Sequence, residues 1–187
     1  ETGEIGEVVG VKADFGFKAP PFDPNSRLFD PKLGAGSLLD IGIYPILLAQ
    51  ILLGRPEKVL AVATFTDLGA DESVAMTFVY PDRKLAMLHC TTAFKTETEA
   101  YIYGKKGNIR LHPRFHHPRR LTISRYVAGA MESEDVELAH DGHGYAHEIR
   151  HFMECVEKGL VESPLVPLDF SLELTELLDW VREEWAK

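Results

Sequence analysis

The chain has 187 residues, 45% of them hydrophobic, which is enough apolar material for one domain to bury a core without disulfides or metal. Its net charge of −9 argues against a nucleic-acid surface, since the longest basic cluster, from Arg114 to Arg120, is short and interrupted. No stretch reaches the roughly 18 apolar residues of a membrane span, and the opening Glu1-Thr2-Gly3-Glu4 is not a signal peptide, so neither a membrane nor an export role is expected.

The sequence starts without a Met and runs at once into a strand, so it reads as part of a longer polypeptide. Over residues 6–17, Val9, Val11, Ala13, Phe15 and Phe17 alternate with Val8, Gly10, Lys12 and Asp14, the two-residue period of a strand with one apolar face. Pro20, Pro21, Pro24 and Pro31 then deny regular structure as far as Gly34-Ala35-Gly36. Ser37 is a good N-cap, residues 38–53 form a strongly apolar helix, and Gly54 with Pro56 stops it. Pro45 inside that helix removes one donor and predicts a kink.

Seven β-rich segments follow, at 58–66, 73–80, 84–94, 97–103, 108–111, 119–126 and 135–138. The turns at 81–83 and 105–108 are so short that their flanking strands must pair antiparallel, and the pattern predicts a meander. Within 73–80, Val74, Met76, Phe78 and Tyr80 share one face, while Ala75, Thr77 and Val79 leave the other nearly uncharged. One face should pack on helices and the other on a partner subunit, giving a homodimer through the sheet. Cys90 and Cys155 sit in apolar runs, as small buried thiols do, and point to the cytoplasm. Two amphipathic helices close the chain. Tyr145, Ile149, Phe152, Met153 and Val156 make one stripe; Phe170, Leu174, Leu177, Leu178, Val181 and Trp185 make the other, and both read as core. The expected class is α+β, an open, largely antiparallel or mixed sheet with helices on one side.

Three motifs invite chemistry. Gly34-Ala35-Gly36 fails as a dinucleotide fingerprint, because position 39 is Leu39 and no strand precedes it, and there is no Walker motif; no cofactor-binding residue is expected in this chain. His147-Glu148-Ile149-Arg150-His151 matches the H-E-x-x-H pattern of zinc hydrolases. The stripe through Ile149 and Val156 sets both histidines on the opposite, polar face, and Glu154 stands where the extended motif needs glycine, so no catalytic metal is expected. His143, His147 and His151 would at most gather adventitious nickel or zinc, and His116-His117 before Pro118 reads as loop. Asp40 and Tyr44, four apart on the apolar helix, share a face. They are either a site pair, since a carboxylate there needs partners or a polar cleft, or a first-turn Asp favoured by the helix dipole beside a Tyr at the core edge. Phe15 and Phe17 are candidates for an apolar or sugar-stacking pocket and equally for strand core; Arg27 and Lys32 would meet an anionic group or stay solvated.

The run Gly34-Ala35-Gly36-Ser37-Leu38-Leu39-Asp40-Ile41-Gly42-Ile43-Tyr44-Pro45, preceded by Arg27-Leu28-Phe29-Asp30, resembles the substrate-domain motif of the glucose-fructose oxidoreductase and inositol dehydrogenase family, nearest its dimeric dihydrodiol dehydrogenase branch. The resemblance spans nearly the whole chain, including Gly3-Glu4-Ile5-Gly6-Glu7-Val8, Ala13-Asp14-Phe15-Gly16-Phe17, Tyr103-Gly104-Lys105-Lys106-Gly107 and the closing helix pair. It implies that a Rossmann domain, absent from residues 1–187, binds NAD or NADP and supplies a lysine. Asp40 and Tyr44 match the family's aspartate and the histidine or tyrosine four residues on. The resemblance then implies hydride transfer between nicotinamide and a hydroxyl-bearing carbon of a sugar, polyol or dihydrodiol, with Tyr44 as proton donor or acceptor. A tyrosine of ordinary pKa near 10 needs a nearby cation to act as a base near neutrality, and the lysine would provide it. Residues 1–187 are then the substrate and dimerisation half, inactive alone. A noncatalytic module of the same fold and a zinc hydrolase using His147, Glu148 and His151 are the alternatives.

Overall fold

Strand β1 (Val8–Gly16) lies near the middle of the sheet, parallel to β4 (Lys84–Thr91) on one side and antiparallel to β5 (Ala100–Gly104) on the other. These relations come from a computed structural model that describes residues 3–139 and 144–186. β2 (Lys58–Phe65) and β3 (Asp71–Tyr80) extend the sheet beyond β4, and β6 (Gly107–Leu111), β7 (Arg120–Val127) and β8 (Ala130–Glu137) extend it beyond β5. The order is β2-β3-β4-β1-β5-β6-β7-β8, an open mixed sheet in the α+β class expected.

The expected meander is broken at one point. From β1 the chain passes through helix α1 (Ile43–Leu53) to the far edge, and β4 returns alongside β1, so β4 and β5 are not neighbours. A helical crossover can bring a later strand back in parallel, whereas the short turns at 81–83 and 105–106 can make only antiparallel hairpins. β8 also starts five residues before the segment 135–138 read from the sequence. Ala128 and Gly129, at φ 49° and 87°, make a two-residue hairpin turn, and the exposed Glu132, Ser133 and Glu134 carry no apolar period.

The core lies on one face of β1 to β4. Val11, Val59, Val74, Phe78, Leu88 and Cys90 close against Ile46 and Ala49 of α1 and against Leu177, Leu178 and Val181 of α3 (Leu168–Trp185). Each of the Val, Leu, Ile and Phe side chains among them contributes about 1.5–3 kcal/mol on burial. Residues 31–53 are apolar enough to cross a membrane by length and composition, but they are divided into a 3-10 turn, a π-turn and the 11-residue α1. At about 1.5 Å per residue α1 is ~16 Å long against a bilayer core of roughly 30 Å, and its fully buried Ile46 and Ala49 mark a core helix.

Helix α2 (Tyr145–Glu157) departs from expectation. The stripe Tyr145, Ile149, Phe152, Met153 and Val156 is exposed throughout, Phe152 at 67%, and the buried residue of this helix is Cys155. Amphipathic period fixes which face a helix would bury, not whether its own chain supplies the cover. The same reversal moves the histidines. His151 lies on the half-buried side with its Nε2 2.7 Å from Ser163 Oγ and 3.5 Å from Cys155 Sγ, while His147 is exposed.

Candidate active site

The start of the site helix is organised by the sheet. Asp71, buried at the head of β3, accepts hydrogen bonds from the Leu38 N–H at 2.7 Å and the Ser37 hydroxyl at 3.0 Å. Ser37 is therefore not the N-cap: its backbone is already helical and its side chain turns to Asp71. A carboxylate there also meets the positive end of the helix. Gly36, at φ 128°, is required, because a Cβ would overlap the Asp71 carboxylate. Gly42 is required for a different reason. A Cβ would lie 2.8 Å from Cys90 Sγ, on a thiol whose pKa burial pushes up to about 12, so the sulfur packs rather than reacts.

Pro45 cannot donate to the Ile41 carbonyl, and the ladder before it widens into a π-turn, Leu38–Gly42. Asp40 sits in this π-turn, half-buried, with its carboxylate 2.9 Å from Arg27 Nη1. Tyr44 follows in the first turn of α1, 39% exposed on an otherwise apolar helix. Its ring centroid lies 5.4 Å from that of Phe15 and 5.1 Å from that of His116, and Phe15 and His116 stack at 4.8 Å with 8° between their planes. These three rings, with Phe17 and Tyr145, line a cleft of about 1160 Å³. Burial first, then the charges of His117 and Arg114, holds the His116 imidazole below its ordinary pKa.

The predicted residues thus fall into two groups. Tyr44, Phe15 and Phe17 meet at the cleft, whereas Asp40 and Arg27 pair with each other outside its lining, and Lys32 stays exposed in the 3-10 turn. Sequence reasoning passed over His116, read as loop, and Tyr145, read as core. No local pattern reveals them. The 112–119 loop is pinned from a distance, the N–H groups of Arg114 and Phe115 both donating to the Thr98 carbonyl at 2.8 and 3.1 Å. Among the described residues no three His, Cys, Asp or Glu side chains gather as a metal site; His143 lies outside them.

Residues 1–110 match the family described as the GFO/IDH/MocA C-terminal domain. The chain belongs to that family. It is 30% identical over 186 residues to trans-1,2-dihydrobenzene-1,2-diol dehydrogenase of Mus musculus, which places it with the dihydrodiol dehydrogenase branch as the motifs implied. That alignment takes in 97% of this chain and 54% of the relative, so the chain spans about half the length of the curated relatives it matches. The 3-ketoreductase KijD10 from Actinomadura kijaniata, solved with NADP and TDP-benzene, superimposes with a TM-score of 0.80 at 25% identity over 97% of this chain and 55% of that one. Levoglucosan dehydrogenase with NADH and levoglucosan has the same fold, at TM-score 0.83 and 18% identity over 98% and 58%. These relatives are oxidoreductases, and both solved neighbours hold a nicotinamide cofactor.

Proposed function

We propose that this chain is the substrate-side half of an NAD(P)-dependent oxidoreductase acting on a hydroxyl-bearing carbon of a sugar, polyol or dihydrodiol. The observation that carries the reading is Tyr44, a partly exposed phenol on a buried apolar helix, standing with Phe15 and His116 in a cleft of about 1160 Å³. Dinucleotide phosphates find no cradle at the glycine loop of this chain. The helix end behind Gly36 already receives the Asp71 carboxylate, which would repel them. The cofactor is therefore assigned to a Rossmann domain in the rest of a longer polypeptide, and the hydride passes between its nicotinamide and the substrate carbon. Tyr44 takes the hydroxyl proton on oxidation and returns it on reduction, with a lysine from that domain beside it. Asp40, fixed by Arg27, positions the turn that carries Tyr44.

The same domain covers the stripe of α2, which adjoins the cleft through Tyr145. The opposite surface, where Leu60, Val62, Leu85 and Met87 stand exposed on β2 and β4, takes a second copy of the chain. Two free, buried thiols support a cytoplasmic setting. The test is Tyr44→Phe in the full-length enzyme. It should lower kcat by roughly 10²–10⁴-fold with nicotinamide affinity nearly unchanged. Wild-type rates across pH would make Tyr44 a packing residue and remove the mechanism.

A further inference from the structure

The cleft at Tyr44 is cationic in a chain whose net charge is −9. Lys18, Lys95 and Arg114 line it against a single described carboxylate, Glu148 of α2. None of the three has an ion-pair partner among the described residues, whereas Arg110, Arg120 and Arg125 on the neighbouring strands each hold a carboxylate. The three cations come from separate elements: Lys18 just past β1, Lys95 past β4, and Arg114 between β6 and β7. Their convergence is a product of the fold, not of a basic run in sequence.

The backbone around Arg114 is held in an uncommon state. Arg114 and Thr98 have φ of 67° and 56°, left-handed conformations that are costly for an arginine and more so for a β-branched threonine. Asp82, Arg83 and Ala128 share that conformation, but each sits at a hairpin tip that accounts for it. Arg114 and Thr98 are instead joined to each other through the Arg114 N–H and the Thr98 carbonyl, and the Thr98 N–H is anchored on Asp14 Oδ2 at 2.9 Å. Strain held in this way fixes where a side chain begins. Here it fixes the root of an arginine that lines the cleft together with the Phe15, His116 and Tyr44 rings. Since burial keeps His116 below its ordinary pKa, the positive field comes from the lysines and the arginine.

We propose that the cleft takes a hydroxylated substrate bearing a carboxylate or phosphate, with Arg114, Lys95 and Lys18 receiving the anion while the reacting hydroxyl lies at Tyr44. This rests on the oxidoreductase reading and narrows its substrate class. A guanidinium grips either anion through two parallel hydrogen bonds, and unpaired cations lining one cleft concentrate anions. A neutral polyol would leave that field unused. The phosphates of a nicotinamide dinucleotide carry the same chemistry, so the test has separate arms for substrate and cofactor.

In the full-length enzyme, kcat/KM is measured for an aldose against its aldonate and its 6-phosphate, with NAD and with NADP. The anionic members should lead by tenfold or more, and added salt should shrink the lead. Arg114→Asn, which suits the left-handed backbone while deleting the charge, and Lys95→Gln should each lower the ratio of anionic to neutral turnover by roughly 10- to 100-fold. Equal use of neutral and anionic substrates would overturn the proposal. So would a loss that appears in the KM for NADP while the substrate ratio holds, which would give the cations to the cofactor. Failure of the oxidoreductase reading looks different: no nicotinamide-linked turnover of any member, with Tyr44→Phe silent. Calorimetry of glucose 6-phosphate against glucose then decides, binding of the phosphate alone and its loss in Arg114→Asn supporting the anion site, and indifference to charge sinking it.

Discussion

Helices α2 and α3 carry apolar stripes of the same period and similar composition, and only one is covered. α3 lies across β2 and α1 and buries Leu177, Leu178 and Val181 there. α2 follows β8 and has no broad contact with any strand or helix, and its five large side chains are exposed. The sequence of a helix sets the direction in which it would bury surface, and the strands beside it decide whether that happens within the chain. The stripe of α2 adjoins the cleft through Tyr145, so the uncovered apolar surface and the candidate site are continuous.

Chemical denaturation of the 187-residue chain should separate the two helices. Leu177→Ala in α3 should cost about 2–5 kcal/mol, the range for a fully buried leucine, whereas Phe152→Ala in α2 should stay within ~0.5 kcal/mol. Equal costs would mean that α2 is packed after all and the contrast would collapse. Next in size is the contrast between the two helix starts. The π-turn that leads into α1 is held by Asp71 from the sheet, while α2 begins at Gly144 with no side-chain cap. Asp71→Ala strands the buried Leu38 N–H and Ser37 hydroxyl and should cost roughly 1–3 kcal/mol. Tyr145→Ala, in the first turn of α2 and largely exposed, should fall well below that, and a larger loss there would show that the start of α2 is as constrained as that of the site helix.

What the sequence made legible follows the same division. The stripe of α3, the alternation of β3 and the turn residues at 81–83 and 105–108 act within a few positions, so period and turn chemistry locate them. The parallel pairing of β1 with β4, the capping of Leu38 by a residue 33 positions later, and the pinning of Arg114 by Thr98 depend on partners that no local window contains. Tyr44 and Phe15 were legible as candidates because an isolated phenol on a greasy helix and an alternating aromatic strand are local facts. That His116 would stack on Phe15 beside Tyr44 was not, since its loop has no period and its place comes from backbone bonds to Thr98 in the loop before β5.

The smallest effect concerns protons, and it distinguishes the open sheet face from the cleft. Burial lowers the pKa of His89 on β4, opposed by Asp14, and of His116 in the cleft, assisted by His117 and Arg114. A folded ring that resists protonation binds fewer protons than the unfolded chain just below the ordinary value of about 6.5. The stabilising contribution of each ring is thus complete above that value, declines as pH falls through it toward the folded pKa, and changes no further below. His89 stacks on Phe94 and belongs to the same open face as Leu85 and Met87. If a second copy covers that face, raising the protein concentration should bury His89 more deeply and steepen the acid loss, while the His116 contribution stays constant. Urea midpoints at pH 7.5 and 5.0, taken at two protein concentrations for wild type, His89→Phe and His116→Phe, read both effects. The concentration dependence should vanish in His89→Phe and persist in His116→Phe. An acid loss of the same size in all three proteins at both concentrations would assign it to carboxylates and leave the sheet face without a partner.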